Sequence, residues 1–222
     1  MCFSPIASFT ASGVLGTIGV ATLQKVKSKQ AWLFAAVPLL FAIQQFIEGL
    51  LWMSLLHHDW PHVQVWLILS YGIFAFMLWP VYMPVSLWLM EPSRRRKQFM
   101  GGITLVGLCF AAYMLNIMFH IHVAARISDS CILYEYPPLP HEWQVLPIYL
   151  IATCAAFCIS SHRRIRWLGS VTVVAFLAAH FFYDSYLVSV WCFFAAIVSG
   201  LIYFYFHFSD KQDNAYPETR PK

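Results

Sequence analysis

The sequence predicts an all-α integral membrane protein, a seven-transmembrane-helix bundle. Three observations carry this: the composition, the spacing of the apolar runs, and the placement of the basic residues. The 222 residues are 60% hydrophobic and only 11% charged, against about 25% charged in a soluble domain. A spanning helix needs roughly 20 apolar residues, so seven such runs use most of the chain. That leaves room for one transmembrane domain, residues 1–208, and a polar tail, 209–222, which reads as disordered. The net charge of +4 is spread over short turns and is no nucleic-acid signal.

The first span is expected from about Pro5 to Leu23, with Ser4 as N-cap and Pro5 at the first helical position. Met1-Cys2-Phe3-Ser4 has no basic n-region, so this span reads as an uncleaved anchor. Its Ser8, Ser12 and Gly16 form a small-residue ridge suited to close helix contact. The second span runs from about Ala31 to Leu56, bent near Pro38, and the third from about Val63 to Met90, kinked at Pro80 and Pro84. The fourth runs from about Phe99 to His122. A long loop, 123–142, follows, extended by Pro137, Pro138 and Pro140. The fifth, sixth and seventh spans run from about Trp143 to Ile159, Trp167 to Tyr183 and Tyr186 to Phe208. Cys192, Ala196 and Gly200 make a second ridge on the last span, a partner for the first.

Orientation follows from the charges. Thirteen of the 14 lysines and arginines fall in the turns after spans one, three and five or in the tail; only Arg126 lies on the other side. The positive-inside rule then places the N-terminus outside and the C-terminus inside. The expected location is a bacterial inner membrane, crossed several times. All six lysines lie outside the spans, which excludes a retinal Schiff base.

The second span carries the functional expectation. Gln44, Gln45 and Glu48 interrupt an apolar run, and Gln45, Glu48 and Trp52 share one helix face. Such groups in hydrocarbon face a protein interior or a watery cavity. Glu48 therefore reads either as a tie between helices or as the centre of a site. Other polar groups are expected at its level, roughly 25 Å up the helix. Tyr113, Asn116 and His120 form a stripe on the fourth span, and His180 and Asp184 stand four apart on the sixth. Tyr71, Ser189 and Trp191 mark the outer ends of the third and seventh.

A histidine and a carboxylate at this spacing can ligate a metal. His120, His180 and Asp184, with Glu48, could hold a divalent ion such as zinc, and a catalytic zinc would activate water beside lipid. Cys2 is a second candidate: as an N-terminal cysteine it could act as nucleophile or ligand. Its plainer reading is an inert or disulfide-bonded thiol, with Cys131 as candidate partner. None of the six cysteines shows metal-ribbon or thioredoxin spacing.

The opening Met1-Cys2-Phe3-Ser4, the segment Phe41 to Trp52 and the segment Ser189 to Ala196 resemble a bacterial multi-pass membrane family of unknown function. That resemblance implies a bacterial membrane and many spans, and names no activity. A looser similarity links the chain to the alkaline ceramidase and adiponectin receptor superfamily of seven-helix zinc hydrolases. The paired histidines of their last helix are absent, since only His207 lies there. Three functional expectations follow. The first is a metal-dependent hydrolase acting on a membrane lipid or amphiphile, with Glu48 as base or ligand. The second is a protein that binds or transports a small ligand, ion or proton through Glu48, Gln44, Gln45, Trp52, Tyr71, Tyr113, Asn116 and Trp191. The third is an interaction subunit in which these groups only hold helices together.

Overall fold

The structure, a computed structural model, describes residues 4–57, 61–120, 123–128, 131–135 and 142–215. Nine helices and one hairpin are found among them. They are α1 (Pro5–Lys25), α2 (Trp32–His57), α3 (Pro61–Gly72), α4 (Trp79–Met90), α5 (Arg94–His120), β1 (Ala124–Ser128), β2 (Cys131–Glu135), α6 (Glu142–Ile159), α7 (Arg163–Tyr183), α8 (Leu187–Ser199) and α9 (Leu201–Ala215). Among the described residues five helical stretches are long and apolar enough to cross a membrane: Pro5–Lys25, Lys29–His57, His62–Met90, Arg94–His120 and Arg163–Phe208.

The last of these stretches has 46 residues, but it is not one straight rod. Tyr183 leaves the helical region at φ −140°, ψ 39°. The rings of Phe176 and Trp191 then meet at 5.1 Å. In a continuous helix, residues 15 apart would be separated by about 22 Å. So α7 and α8 fold back on each other.

Proline chemistry shapes the α3–α4 rod. Pro80 has no N–H to offer the carbonyl of Phe76. The helix loosens ahead of it into a π-turn over Ile73–Leu78, where the Trp79 N–H reaches back to Phe74. Pro84 likewise leaves the carbonyl of Pro80 without its usual partner. Against that carbonyl lies the backbone of Gly107 on α5.

The helix α2 is central. More than half of its residues are buried, and it touches α1, α3, α4, α8 and α9. It meets α1 at Gly19, where a Cβ would stand 2.8 Å from the Leu39 nitrogen. Ser12 also donates to the Ala42 carbonyl at 2.8 Å. The ridge on α8 does meet α1, as Gly200 lies beside Leu15 and Ile18. By contrast, α5 buries only Met100, Gly107, Phe110 and Met114. Phe119, Phe181 and Phe182 are each more than three-quarters exposed, an apolar surface that suits lipid.

Two features depart from the expected outline. The long loop holds an antiparallel hairpin, with Ala124 opposite Glu135 and Ser128 opposite Cys131. Its Ile132 and Ala125 pack with Leu51, Trp52 and Ile68, which docks it on α2 and α3. The alternation of side chains along the short strands turns Ala125 and Ile132 to the bundle, while Pro137, Pro138 and Pro140 lie outside the described residues. In addition, α9 runs to Ala215, beyond the expected end of the last span at Phe208.

At the opposite end a second buried acid holds two basic turns together. Glu91, 2% exposed, accepts from the Ser161 N–H at 2.7 Å, from the Ser161 hydroxyl and from the Ser93 N–H at 3.2 Å. Arg96 donates to the Ile159 carbonyl at 3.1 Å. Burial alone would raise the Glu91 carboxyl. The bonds from Ser161 and Ser93 and the nearby Arg96 charge outweigh it and hold the carboxyl below its ordinary 4.5. A carboxyl lowered in the folded state stabilises above its ordinary value, and the gain is lost as pH falls through the lowered one. Glu91→Gln should therefore cost about 1–3 kcal/mol at neutral pH and flatten the acid limb of stability. Thermal unfolding from pH 7 to pH 3 checks this. Parallel losses in the parent and the variant would sink it.

Candidate functional site

The α2 face read from the sequence is buried as a unit. Gln44 and Gln45 are fully buried, Glu48 is 2% exposed and Trp52 is 3% exposed. Glu48 is bonded by neutral groups. Ser189 on α8 donates to one oxygen, and Gln45 Nε2 donates to the other at 3.1 Å. Gln44 Oε1 accepts from Trp79 Nε1 at 2.7 Å, and Trp79 stacks on Phe41 with centroids 3.9 Å apart. These contacts fix both glutamines from their outer ends.

Two tyrosines complete the wall. Tyr71 on α3 and Tyr134 on β2 stack at 5.3 Å and 9°. Both lie within electrostatic reach of Glu48 and of the Cys192 thiol on α8. The folding of α8 back along the bundle brings in Ser189 and Cys192, one turn apart. The hairpin brings in Tyr134.

Many of these polar atoms lack a partner. Gln44 Nε2, Gln45 Oε1, Trp52 Nε1, Tyr71 Oη, Tyr134 Oη and Ser8 Oγ are buried without a hydrogen bond among the described residues. Tyr71 also lies close enough to Glu48 to interact with it, and Cys192 beside Gln44 and Tyr71 offers only a weak acceptor. Each such atom costs about 1–3 kcal/mol. The set includes both donors and acceptors on the helix face and walls that carry the buried Glu48 carboxyl.

Open space lies against the walls of this shell around Glu48. A cleft of about 1310 Å³ runs between β2, α6, α7 and α8, and its lining includes Tyr134, Trp191 and Cys192. A cavity of about 60 Å³ lies against Tyr71 and Tyr134. Another, of about 50 Å³, lies against Phe41, Trp79 and Cys192. Tyr134 and Cys192 thus separate open space from the Glu48 shell.

The other expected site residues fall elsewhere. Tyr113, Asn116 and His120 are exposed on α5, while that helix buries Phe110 and Met114 instead. His120 Nδ1 is tied to the Asn116 carbonyl at 2.8 Å. His180 Nδ1 lies 2.9 Å from Asp184 Oδ1, near the surface and without hydrogen-bond alignment. Among the described residues no three His, Cys, Asp or Glu side chains gather as a metal-ligand set. Trp191 lines the cleft, its Nε1 donating to Tyr149 Oη at 3.1 Å. Cys2 lies outside the described residues, and Cys131 is disulfide-bonded. Sequence reasoning noted Ser189 by depth but did not assign it to Glu48, and it passed over Tyr134. Ser189 and Cys192 at i, i+3 were the signal for the first. The second had none, because its position depends on the hairpin.

A family model matches residues 1–217. The chain belongs to DUF6629, a family of unknown function. No curated protein and no solved structure matches this DUF6629 chain. Its site must therefore be read from its own geometry.

One consequence concerns Tyr134. Its hydroxyl is buried and unbonded, so deleting it removes a desolvation cost and leaves the stacked ring. Tyr134→Phe in this DUF6629 protein should unfold at the same temperature as the parent, or higher by a few degrees. A marked loss on thermal unfolding would show that the hydroxyl is bonded after all.

Proposed function

We propose that this protein binds a small polar ligand inside the membrane, with Glu48 at the centre of the recognition site. The observation that carries the reading is the set of unpartnered donors and acceptors around a fully buried carboxyl. A purely structural tie would satisfy its own partners. Gln44, Gln45, Trp52, Tyr71, Tyr134 and Ser189 present the matching groups, and Trp191 walls the approach.

The frame of this reading is seven crossings of a bacterial inner membrane, with the N-terminus outside. The positive-inside pattern supports it. So does the Glu91 contact, which joins the turn before α5 to the turn before α7, both rich in arginine. The disulfide at Cys131, at the hairpin end, suits an oxidising compartment. A metal-dependent lipid hydrolase would need His120, His180 and Glu48 together. They stand exposed, half-exposed and fully buried, and no observation favours that reading.

The test is thermal unfolding of the full chain in non-ionic detergent against a panel of small amines, amino acids, carboxylic acids and sugars. At least one class should raise the unfolding temperature of the parent by several degrees and leave Glu48→Gln unmoved. No stabilisation by any class, or equal stabilisation of both proteins, would overturn the reading.

A further inference from the structure

The walls of the large cleft state what could occupy it. Phe76, Phe110, Tyr134, Tyr149, Phe176 and Trp191 supply aromatic rings. Glu135 and Asp184 supply the charged side chains. Among its described lining residues there is no lysine, arginine or histidine. Within electrostatic reach of Tyr134 and Cys192 stands a third carboxyl, that of Glu48. Glu135 is partly offset by Arg126, which bonds it at 2.5 Å. His180 lies beside Asp184. Neither cation lines the space itself.

An anion entering here would meet no positive group among the described lining residues and would face carboxylates across a low-dielectric wall. A neutral amphiphile would gain from the apolar walls but leave the acids unused. A cation with an apolar body gains from both, because aromatic faces attract cations within about 6 Å. The Trp191 N–H is already committed to Tyr149, so what Trp191 contributes to the cleft lining is its aromatic ring.

We propose that the cleft between β2, α6, α7 and α8 is the entry and binding vestibule for a hydrophobic organic cation, an ammonium on an aromatic or aliphatic body. This deepens the Glu48 reading and rests on it, since the Glu48 shell is where the polar head would come to rest. The size of the cleft accommodates such a molecule, as small-molecule sites commonly span about 300–1,000 Å³. Tyr134 and Cys192 are the groups the head must pass.

Isothermal titration of the full chain in non-ionic detergent tests this with three probes of similar shape. Benzyltrimethylammonium is the cation, neopentylbenzene its uncharged counterpart, and benzenesulfonate the anion. The cation should bind one per chain and about tenfold more tightly than the uncharged probe, and the anion should not bind. Trp191→Ala should weaken the cation about tenfold. Asp184→Asn, a change at an exposed side chain that leaves the core intact, should weaken it about threefold. Equal or tighter binding of either control probe, or no binding of the cation, would overturn the assignment. The two readings fail separately. If a carboxylic acid or sugar stabilises the parent in a Glu48-dependent way and the cation does not bind, the cation assignment falls and the Glu48 site stands. If no class stabilises the parent, both fall.

Discussion

Gly107→Ala should cripple assembly of the bundle. A Cβ at this position would collide with the Pro80 carbonyl oxygen and stand 2.8 Å from its carbon. The obstacle is backbone, which cannot swing aside as a side-chain tip can. It is also a rigid piece of backbone, because Pro80 and Pro84 both restrict it. Separation of α4 from α5 is then the only relief. Overpacking of a core usually costs about 1–3 kcal/mol, and a backbone collision belongs at or above the upper end. A loss of about 3 kcal/mol corresponds to a fall on the order of 10 °C in unfolding temperature. Gly101 and Gly102 are the control, for nothing lies within 4 Å of a Cβ at either. Alanine there should be neutral or stabilising by up to about 1 kcal/mol through helix propensity. Unfolding of the three variants in detergent decides the matter. If Gly107→Ala behaves like Gly101→Ala, the close approach of α4 and α5 is not real.

This contrast shows where the sequence was readable. Glycines at 101, 102 and 107 look alike in a string of letters, and only the facing helix tells them apart. The helical, strongly apolar character was legible, because backbone satisfaction in lipid permits little besides long apolar helices. The buried face of α2 was legible for the same reason: amides and a carboxyl must turn inward. The stripe of Tyr113, Asn116 and His120 obeyed the same spacing and yet faces outward. Near a helix end such groups can reach the interface, so the cost that forces Glu48 inward is small for them. Apolar residues on both sides of α5 gave no sign of its rotation. Glu91 was passed over because an acid beside four basic residues reads as a solvated turn. Its role depends on Ser161, 70 residues away. Tyr134 was hidden by the hairpin, whose strands are too short to stand out beside so many helices.

Glu48→Gln should separate the functional reading from the structural one. The introduced amide keeps an oxygen for the Ser189 hydroxyl. Its new N–H₂ would oppose the Gln45 amide, which now donates to Glu48. But Gln45 Oε1 has no partner. A flip of the Gln45 amide turns that oxygen toward the new donor and restores the bond. The substitution also removes an acid whose bonded partners are all neutral, a group costly to keep inside a membrane. The folded protein should therefore lose no more than about 1 kcal/mol, and it can gain stability. Ligand response should fall at least about tenfold, since a cationic or hydrogen-bonding guest loses its acceptor. A helix tie predicts the reverse: a clear loss of stability with nothing else to lose. Ser189→Ala sharpens the comparison by removing a donor to Glu48 while keeping the acid. It should leave binding measurable and lower stability by about 1–2 kcal/mol. Unfolding and binding measured on the same two variants give four values. A protein built around a site shows retained stability with lost binding in Glu48→Gln, and lost stability with retained binding in Ser189→Ala. The opposite pattern would make Glu48 a structural tie and end the binding proposal.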